Sequence, residues 1–140
     1  MLADQSAESH IRTILASEEQ AWNAGDAAAY AVHFLDDGSF TNILGDVNYG
    51  RAIFERRHAE IFASIFKGSQ LSMTIRRIAF PLPDTAIVDC DTDLISYQRL
   101  PPGVNAAADG VLHTRLLQVL VKIGDQWWIA AYHNVDVKPQ

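Results

Sequence analysis

The sequence predicts an α+β fold in which three N-terminal helices pack on one face of a curved, mostly antiparallel sheet. Three observations carry this. Apolar residues recur at helical spacing in three stretches before residue 67, and from Gln70 onward the chain reads as extended segments separated by turns. The last third, Val111 to Val137, is a strand, a tight Gly124-Asp125-Gln126 turn and a second strand, which is the signature of a β-hairpin.

Taken in order, Ile11, Ile14, Leu15, Glu18, Ala21 and Trp22 form one stripe of a first helix, with Asp4 or Ser6 as its cap. Gly25 is placed to close that helix in the left-handed region, and Asp26 to cap a second helix running to about Phe34. Asp36-Asp37-Gly38 reads as a turn, Ser39 to Ile43 as a short strand, and Gly45-Asp46 as another turn. A third helix is expected from Arg51 to Phe66, its apolar side built from Ile53, Phe54, Ile61, Phe62, Ile65 and Phe66, with His58 among them. Strands then follow from Leu71 to Phe80 and from Thr85 to Tyr97, joined by Pro81-Leu82-Pro83-Asp84. In the second of these, Asp89, Asp91 and Asp93 share one parity, which marks a solvated outer side.

Parity in the hairpin assigns its faces. The odd set, His113, Arg115, Leu117, Val119 and Val121 with Trp127, Ile129, Ala131, His133 and Val135, is apolar with titratable groups at one end. Because the strands are antiparallel, His113, Arg115 and His133 meet away from the turn, and this face is read as the inner one. The even set keeps Leu116, Leu120, Trp128, Ala130 and Tyr132, so the outer face is expected to be covered too, by a second subunit.

At 140 residues the chain is read as one domain, residues 1–140. A net charge of −6 without a Lys/Arg cluster argues against nucleic acid as a partner. One cysteine, Cys90, excludes an internal disulfide and makes the cytoplasm the default compartment. The N-terminal residues lack a basic region followed by an apolar run, and no stretch reaches the roughly 18 apolar residues of a membrane span, so neither signal peptide nor membrane is expected. The histidines show no HxH or HExxH spacing, and there is no Gly-rich dinucleotide fingerprint, so no metal and no cofactor are expected.

The chain resembles the nuclear transport factor 2-like superfamily, and within it the polyketide-cyclase-like (SnoaL-like) and SgcJ/EcaC-type small proteins. The residues that carry the likeness are Trp22 to Asp26, Phe40-Thr41-Asn42, Gly50-Arg51 and the run Gly124 to Asn134. The resemblance implies a cone, a strongly bent sheet wrapped around the first helix with an apolar pocket inside, and a homodimer packed through the sheet's outer face. It specifies function weakly, because the fold hosts isomerases, dehydratases, cyclases, epoxide hydrolases and non-catalytic domains. Its catalytic members use a defined carboxylate or a His/Asp pair, and this chain departs from them because its strand aspartates face outward. A parity shift of one residue would bring an aspartate into the pocket.

Within such a pocket, His133 and Arg115 are the expected catalytic pair, a neutral imidazole as base and a guanidinium stabilising an oxyanion. The competing structural reading makes Arg115 an anchor held by an aspartate and His133 part of a hydrogen-bond network. Trp22, Tyr30, Asn42, Phe54, His58, Phe62, His113 and Trp127 are the candidate ligand contacts. For His58 and the aromatics, a role in the core is the alternative. Asn134, of the opposite parity to His133, is assigned to satisfying backbone at the strand end, and Tyr97 to an exposed strand end. The functional reading is a pocket for a small apolar compound bearing a carbonyl or hydroxyl, with cofactor-free isomerisation, dehydration or cyclisation as its chemistry. The alternative is a non-catalytic homodimeric binding module.

Overall fold

Three helices and six strands follow one another in the computed structural model, which describes residues 2–138; Met1, Pro139 and Gln140, within the domain bounds read from sequence, lie outside the described residues. Helix α1 (Leu2–Asn23) and the short α2 (Ala27–Ala31) lead into β1 (Phe34–Thr41), β2 (Val47–Tyr49) and α3 (Arg51–Phe62). Strands β3 (Gln70–Leu82), β4 (Thr85–Ile95), β5 (Leu112–Ile123) and β6 (Gln126–Asp136) complete the chain. They form one mixed, curved sheet of six strands in the order β2-β1-β6-β5-β4-β3, with β1 parallel to β6 and every other pair antiparallel. The helices cover its concave side. This is the α+β cystatin-like, nuclear transport factor 2-like architecture.

Local chemistry accounts for several boundaries. Gly25, at φ 68°, turns the chain out of α1, and the Asp26 side chain accepts a hydrogen bond from Ala29 N at 3.0 Å to open α2. α1 itself starts at Leu2, upstream of both expected caps, so Asp4 and Ser6 lie inside it. Asp36-Asp37-Gly38 is an irregular part of β1 rather than a turn, because the pairing with β6 shifts register between Phe34 and Ser39. Gly38 is required there: a Cβ would sit 2.7 Å from the Phe34 ring and 3.1 Å from the Ile129 carbonyl. α3 ends at Phe62, short of the expected Phe66, and a run of turns carries the chain to β3.

The largest correction concerns the faces of the hairpin. On β5 the buried residues are the even ones, Leu112, Thr114, Leu116, Gln118 and Leu120, while Arg115 and Leu117 are exposed. Thr114 and Gln118, polar members of this face, each meet a polar partner on another element: Thr114 the hydroxyl of Thr92, and Gln118 the carboxyl of Glu18 at 3.0 Å. On β6 the odd parity is correct at first, with Trp127 and Ile129 buried. A bulge at Ala130 then pairs Leu120 with Ile129 but Val119 with Ala131, so from there the even residues Tyr132 and Asn134 turn inward and His133 turns out. Leu116, Leu120 and Tyr132, expected on a subunit interface, are 2%, 0% and 5% exposed and belong to the core. Trp128 is half-buried beneath the Arg51 guanidinium, which lies 5.3 Å from its ring centroid. On β4 the aspartates face outward, as their parity indicates, and Ala86, Val88, Cys90, Thr92 and Leu94 line the inside.

Candidate functional site

A cavity of about 380 Å³ opens between the concave face of the sheet, α3 and the loop after β4. Its apolar wall is built from Trp22, Phe40, Ile43, Ile61, Ile65, Phe66, Leu100, Pro101 and Pro102, and its polar groups are Asn42, Arg57, His58, Arg99, Tyr132 and Asn134. The loop is fixed against the end of α3 because Gln98 N and Arg99 N both donate to the Ile65 carbonyl, at 2.8 and 3.4 Å. This brings Arg99 and the Pro101-Pro102 corner over the cavity mouth.

His58 sits at the centre of an aromatic cluster. Its ring centroid lies 4.4 Å from Phe54, 4.7 Å from Tyr30, 5.3 Å from Phe40 and 6.0 Å from Trp22. Nδ1 lies 2.8 Å from the Phe54 carbonyl, which can only accept, so Nδ1 carries the proton and Nε2 the lone pair. Burial, opposed by that hydrogen bond and aided by the positive charge of Arg57, brings its pKa down to about 4. At neutral pH His58 is an uncharged acceptor in the cavity wall.

Two further polar groups point the same way. The hydroxyls of Tyr30 and Tyr132 lie 2.7 Å apart, and Tyr132 lines the cavity while Tyr30 stands behind it, stacked on Phe54. Burial pushes both phenols well above their ordinary value, so they remain protonated donors. Asn134 also lines the cavity, and its Oδ1 is buried with no hydrogen-bond partner.

Deeper in the core, Glu18 is fully buried on α1 and burial raises its pKa to about 8, against the lowering effect of the Gln118 hydrogen bond. Gln118 Nε2 donates to Glu18 Oε1, while Glu18 Oε2 and Gln118 Oε1 are both left without partners. The carboxyl is therefore a neutral acid at pH 7, and it lies outside the cavity lining. Cys90, also facing the core, has its thiol pushed up to about 12 by burial.

Of the residues singled out from sequence, Trp22, Asn42 and His58 line this cavity. Asn42 has little capacity left for a ligand, since its Oδ1 accepts from Leu44 N and Asp46 N and closes the β1–β2 turn. Tyr30, Phe54 and Phe62 form the layer behind, with Phe62 edge-on to Trp22 at 4.9 Å. Trp127 is buried near the hairpin turn against Phe80, away from the cavity. His113, Arg115 and His133 are on the outer face. His113 Nδ1 lies 2.6 Å from Asp93, and Arg115 lies 3.2 Å from Asp91, which also holds Arg76 at 2.7 Å. The structure does bring Arg115 and His133 together, along a shallow outer groove of about 310 Å³ with Asp89, Leu117 and Val135, but the sheet separates them from the chamber. Tyr97 bonds the Gly110 carbonyl at 2.7 Å. The site residues missed are Arg57, Arg99, Tyr132 and Asn134. For the last two the signal was present in parity and was inverted by the bulge. Among the described residues no three His, Cys, Asp or Glu side chains converge, and no helix is long and apolar enough to cross a membrane.

Comparison with known proteins adds the lineage. The family model of the SnoaL-like domain matches residues 11–134. A domain of unknown function with a cystatin-like fold from Nostoc punctiforme superposes with a TM-score of 0.78 at 24% identity, over 94% of this chain and 77% of that one. A putative scytalone dehydratase from Novosphingobium aromaticivorans gives 0.79 at 16% identity, over 97% and 87% of the two chains. A type 2 hexachlorocyclohexane dehydrochlorinase gives 0.81 at 10% identity, over 98% and 89%. At these identities the likeness is one of fold. No curated protein matches the chain.

Proposed function

Because the chain belongs to the SnoaL-like domain family, we propose that it is a cofactor-free enzyme moving a proton within a small, largely apolar carbonyl or hydroxyl compound, by isomerisation, dehydration or aldol-type cyclisation. The observation that carries this is His58: an imidazole neutral at pH 7, with its tautomer fixed by the Phe54 carbonyl, in the wall of a 380 Å³ apolar cavity. Fold neighbours named as a dehydratase and a dehydrochlorinase, both eliminating enzymes, support the same class.

The chemistry runs as follows. Nε2 of His58 takes a proton from the carbon beside the ligand's carbonyl, and the electron pair of that C–H bond moves to the carbonyl oxygen. Tyr132 stabilises the enolate by donating its hydroxyl proton in a hydrogen bond, while Tyr30 in turn donates to Tyr132. The imidazolium then returns the proton, to a conjugated carbon in an isomerisation, or to a departing hydroxyl as water in a dehydration. A base whose pKa is about 4 suits a C–H acidified by conjugation or by two carbonyls.

A direct test is exchange of ligand α-protons in deuterated buffer, followed by NMR over a panel of cyclic enones, β-hydroxyketones and aromatic ketones. Exchange catalysed by the wild type and lost in His58→Gln supports the proposal; bound ligand with no exchange above the buffer rate overturns it. The second reading, a non-catalytic homodimeric module, is favoured by one feature: His58 leans on a backbone carbonyl rather than a carboxylate, and that hydrogen bond does not offset the lowering of its basicity by burial. In that reading the exposed Leu117 and Val135 with half-buried Val119 and Val121 form the dimer face. Light scattering that finds a monomer at micromolar concentration removes the dimer.

A further inference from the structure

We propose that the natural occupant of the cavity is an anionic amphiphile, whose carboxylate or similarly charged group docks on Arg57 and Arg99 while its apolar body fills the aromatic chamber. The inference rests on the cavity being a ligand site and names the class of ligand it takes.

The charge of the lining is the first observation. The chain carries 17 acidic and 11 basic residues, for a net −6, yet among the described residues the only charged side chains lining the cavity are Arg57 and Arg99. A positive mouth in a negative protein is the reverse of what composition delivers by chance, and it draws anions inward against the overall field. Among the described residues neither guanidinium donates a hydrogen bond. Arg57 faces Asp46 at 3.6 Å, beyond hydrogen-bond length, and no acid among the described residues pairs with Arg99. By contrast Arg51 bonds the Phe34 carbonyl at 2.6 Å, and Arg76 and Arg115 share Asp91. A planar fork with free N–H groups matches a carboxylate in two parallel hydrogen bonds, which an ammonium does not.

The backbone brings both to the cavity lining. Arg57 precedes His58 on α3, and Arg99 sits in the loop whose amides are tied to Ile65 just beyond that helix. The wall beneath is Trp22, Phe40, Ile61 and Phe66, suited to rings rather than to a polar body.

One consequence links this to catalysis. The charge on Arg57 is part of what holds His58 uncharged. An anion docked on Arg57 cancels that influence, so binding raises the basicity of His58 at the moment the acidic C–H arrives. The ligand itself sharpens the base.

The test uses a matched pair, naphthalene-2-carboxylate and naphthalene-2-carboxamide, which share shape and differ in charge. Isothermal titration on the wild type is expected to show the carboxylate binding about tenfold tighter, with a preference that shrinks as salt is raised. Arg57→Met and Arg99→Met each reduce carboxylate affinity severalfold and leave the carboxamide within about twofold. An NMR titration of His58 is expected to move to higher pH with the carboxylate bound and to stay put with the carboxamide. Equal affinities, variants that weaken both probes alike, or no binding of either probe to the wild type overturn the proposal. Carboxamide binding without a carboxylate preference removes only the anion and leaves the pocket function standing, whereas lost α-proton exchange with the preference intact removes only the reaction.

Discussion

The two faces of the same sheet treat ionisable groups in opposite ways. On the convex side, charges are kept and paired in water: Asp91 lies between Arg76 and Arg115. On the concave side every ionisable group buried beneath the helices is held in its uncharged form, Glu18 and Cys90 by raised pKa, His58 by a lowered one. The difference teaches where function resides. A charge in water is stabilised by solvent and does little, whereas a neutral group in a dry wall can accept or release a proton in response to a ligand.

Adjacent leucines on β5 give the sharpest contrast. Leu116 is 2% exposed on the concave side and Leu117 is 39% exposed on the convex one. Leu116→Ala is expected to cost about 2–5 kcal/mol through lost burial and a residual cavity, and Leu117→Ala less than about 1 kcal/mol. Urea denaturation of both variants measures this. Similar losses at the two positions break the assignment of faces.

Glu18 and His58 make the concave side sensitive to pH in opposite directions. Glu18 binds its proton more tightly in the folded chain, so its contribution is complete below its ordinary value of 4.5 and is lost as the pH climbs to about 8. His58 binds its proton more weakly when folded, so its contribution is complete above 6.5 and is lost as the pH falls to about 4. Between 4.5 and 6.5 the two slopes oppose and flatten the profile. From pH 6.5 to 8 only Glu18 acts, at up to about 1.4 kcal/mol per pH unit, so the wild type loses roughly 2 kcal/mol. Glu18→Gln keeps an acceptor for Gln118 Nε2 without a titrating group, and its melting temperature is expected to stay level across that interval. A wild-type curve that is equally level there means Glu18 is ionised in the folded chain.

How far the sequence reveals this depends on the kind of contact involved. Helical spacing and turn residues are local, and they located all three helices, the β3–β4 and β5–β6 turns and the inner residues of β4. The partners of Thr114 and Gln118 come from elsewhere in the chain, so nothing local marked the even face of β5 as the inner one, and His113 and Arg115 at the end of the odd face were taken for the pocket end. The bulge at Ala130 leaves no mark in a run as uniformly apolar as Trp127 to Tyr132, and it alone exchanged His133 for Tyr132 and Asn134 at the cavity. His58 was visible because a lone histidine among apolar residues on a helix is rare; Arg57 and Arg99 were not, because a surface arginine and a loop arginine look alike until the fold sets them at one opening.

The convex ion pairs supply the smallest expected effect. Asp91 is accepted by two guanidiniums, at 2.7 and 3.2 Å, but both arginine side chains are about half exposed, at 58% and 48%. Each pair exchanges hydration for a screened attraction and a loss of side-chain freedom, so Arg115→Ala is expected to cost less than about 1 kcal/mol, and less still at high salt. Its α-proton exchange should equal the wild type, because the sheet stands between Arg115 and the chamber. Loss of that exchange in Arg115→Ala, with stability unchanged, would move the reaction to the convex groove beside His133 and reverse the roles of the two faces.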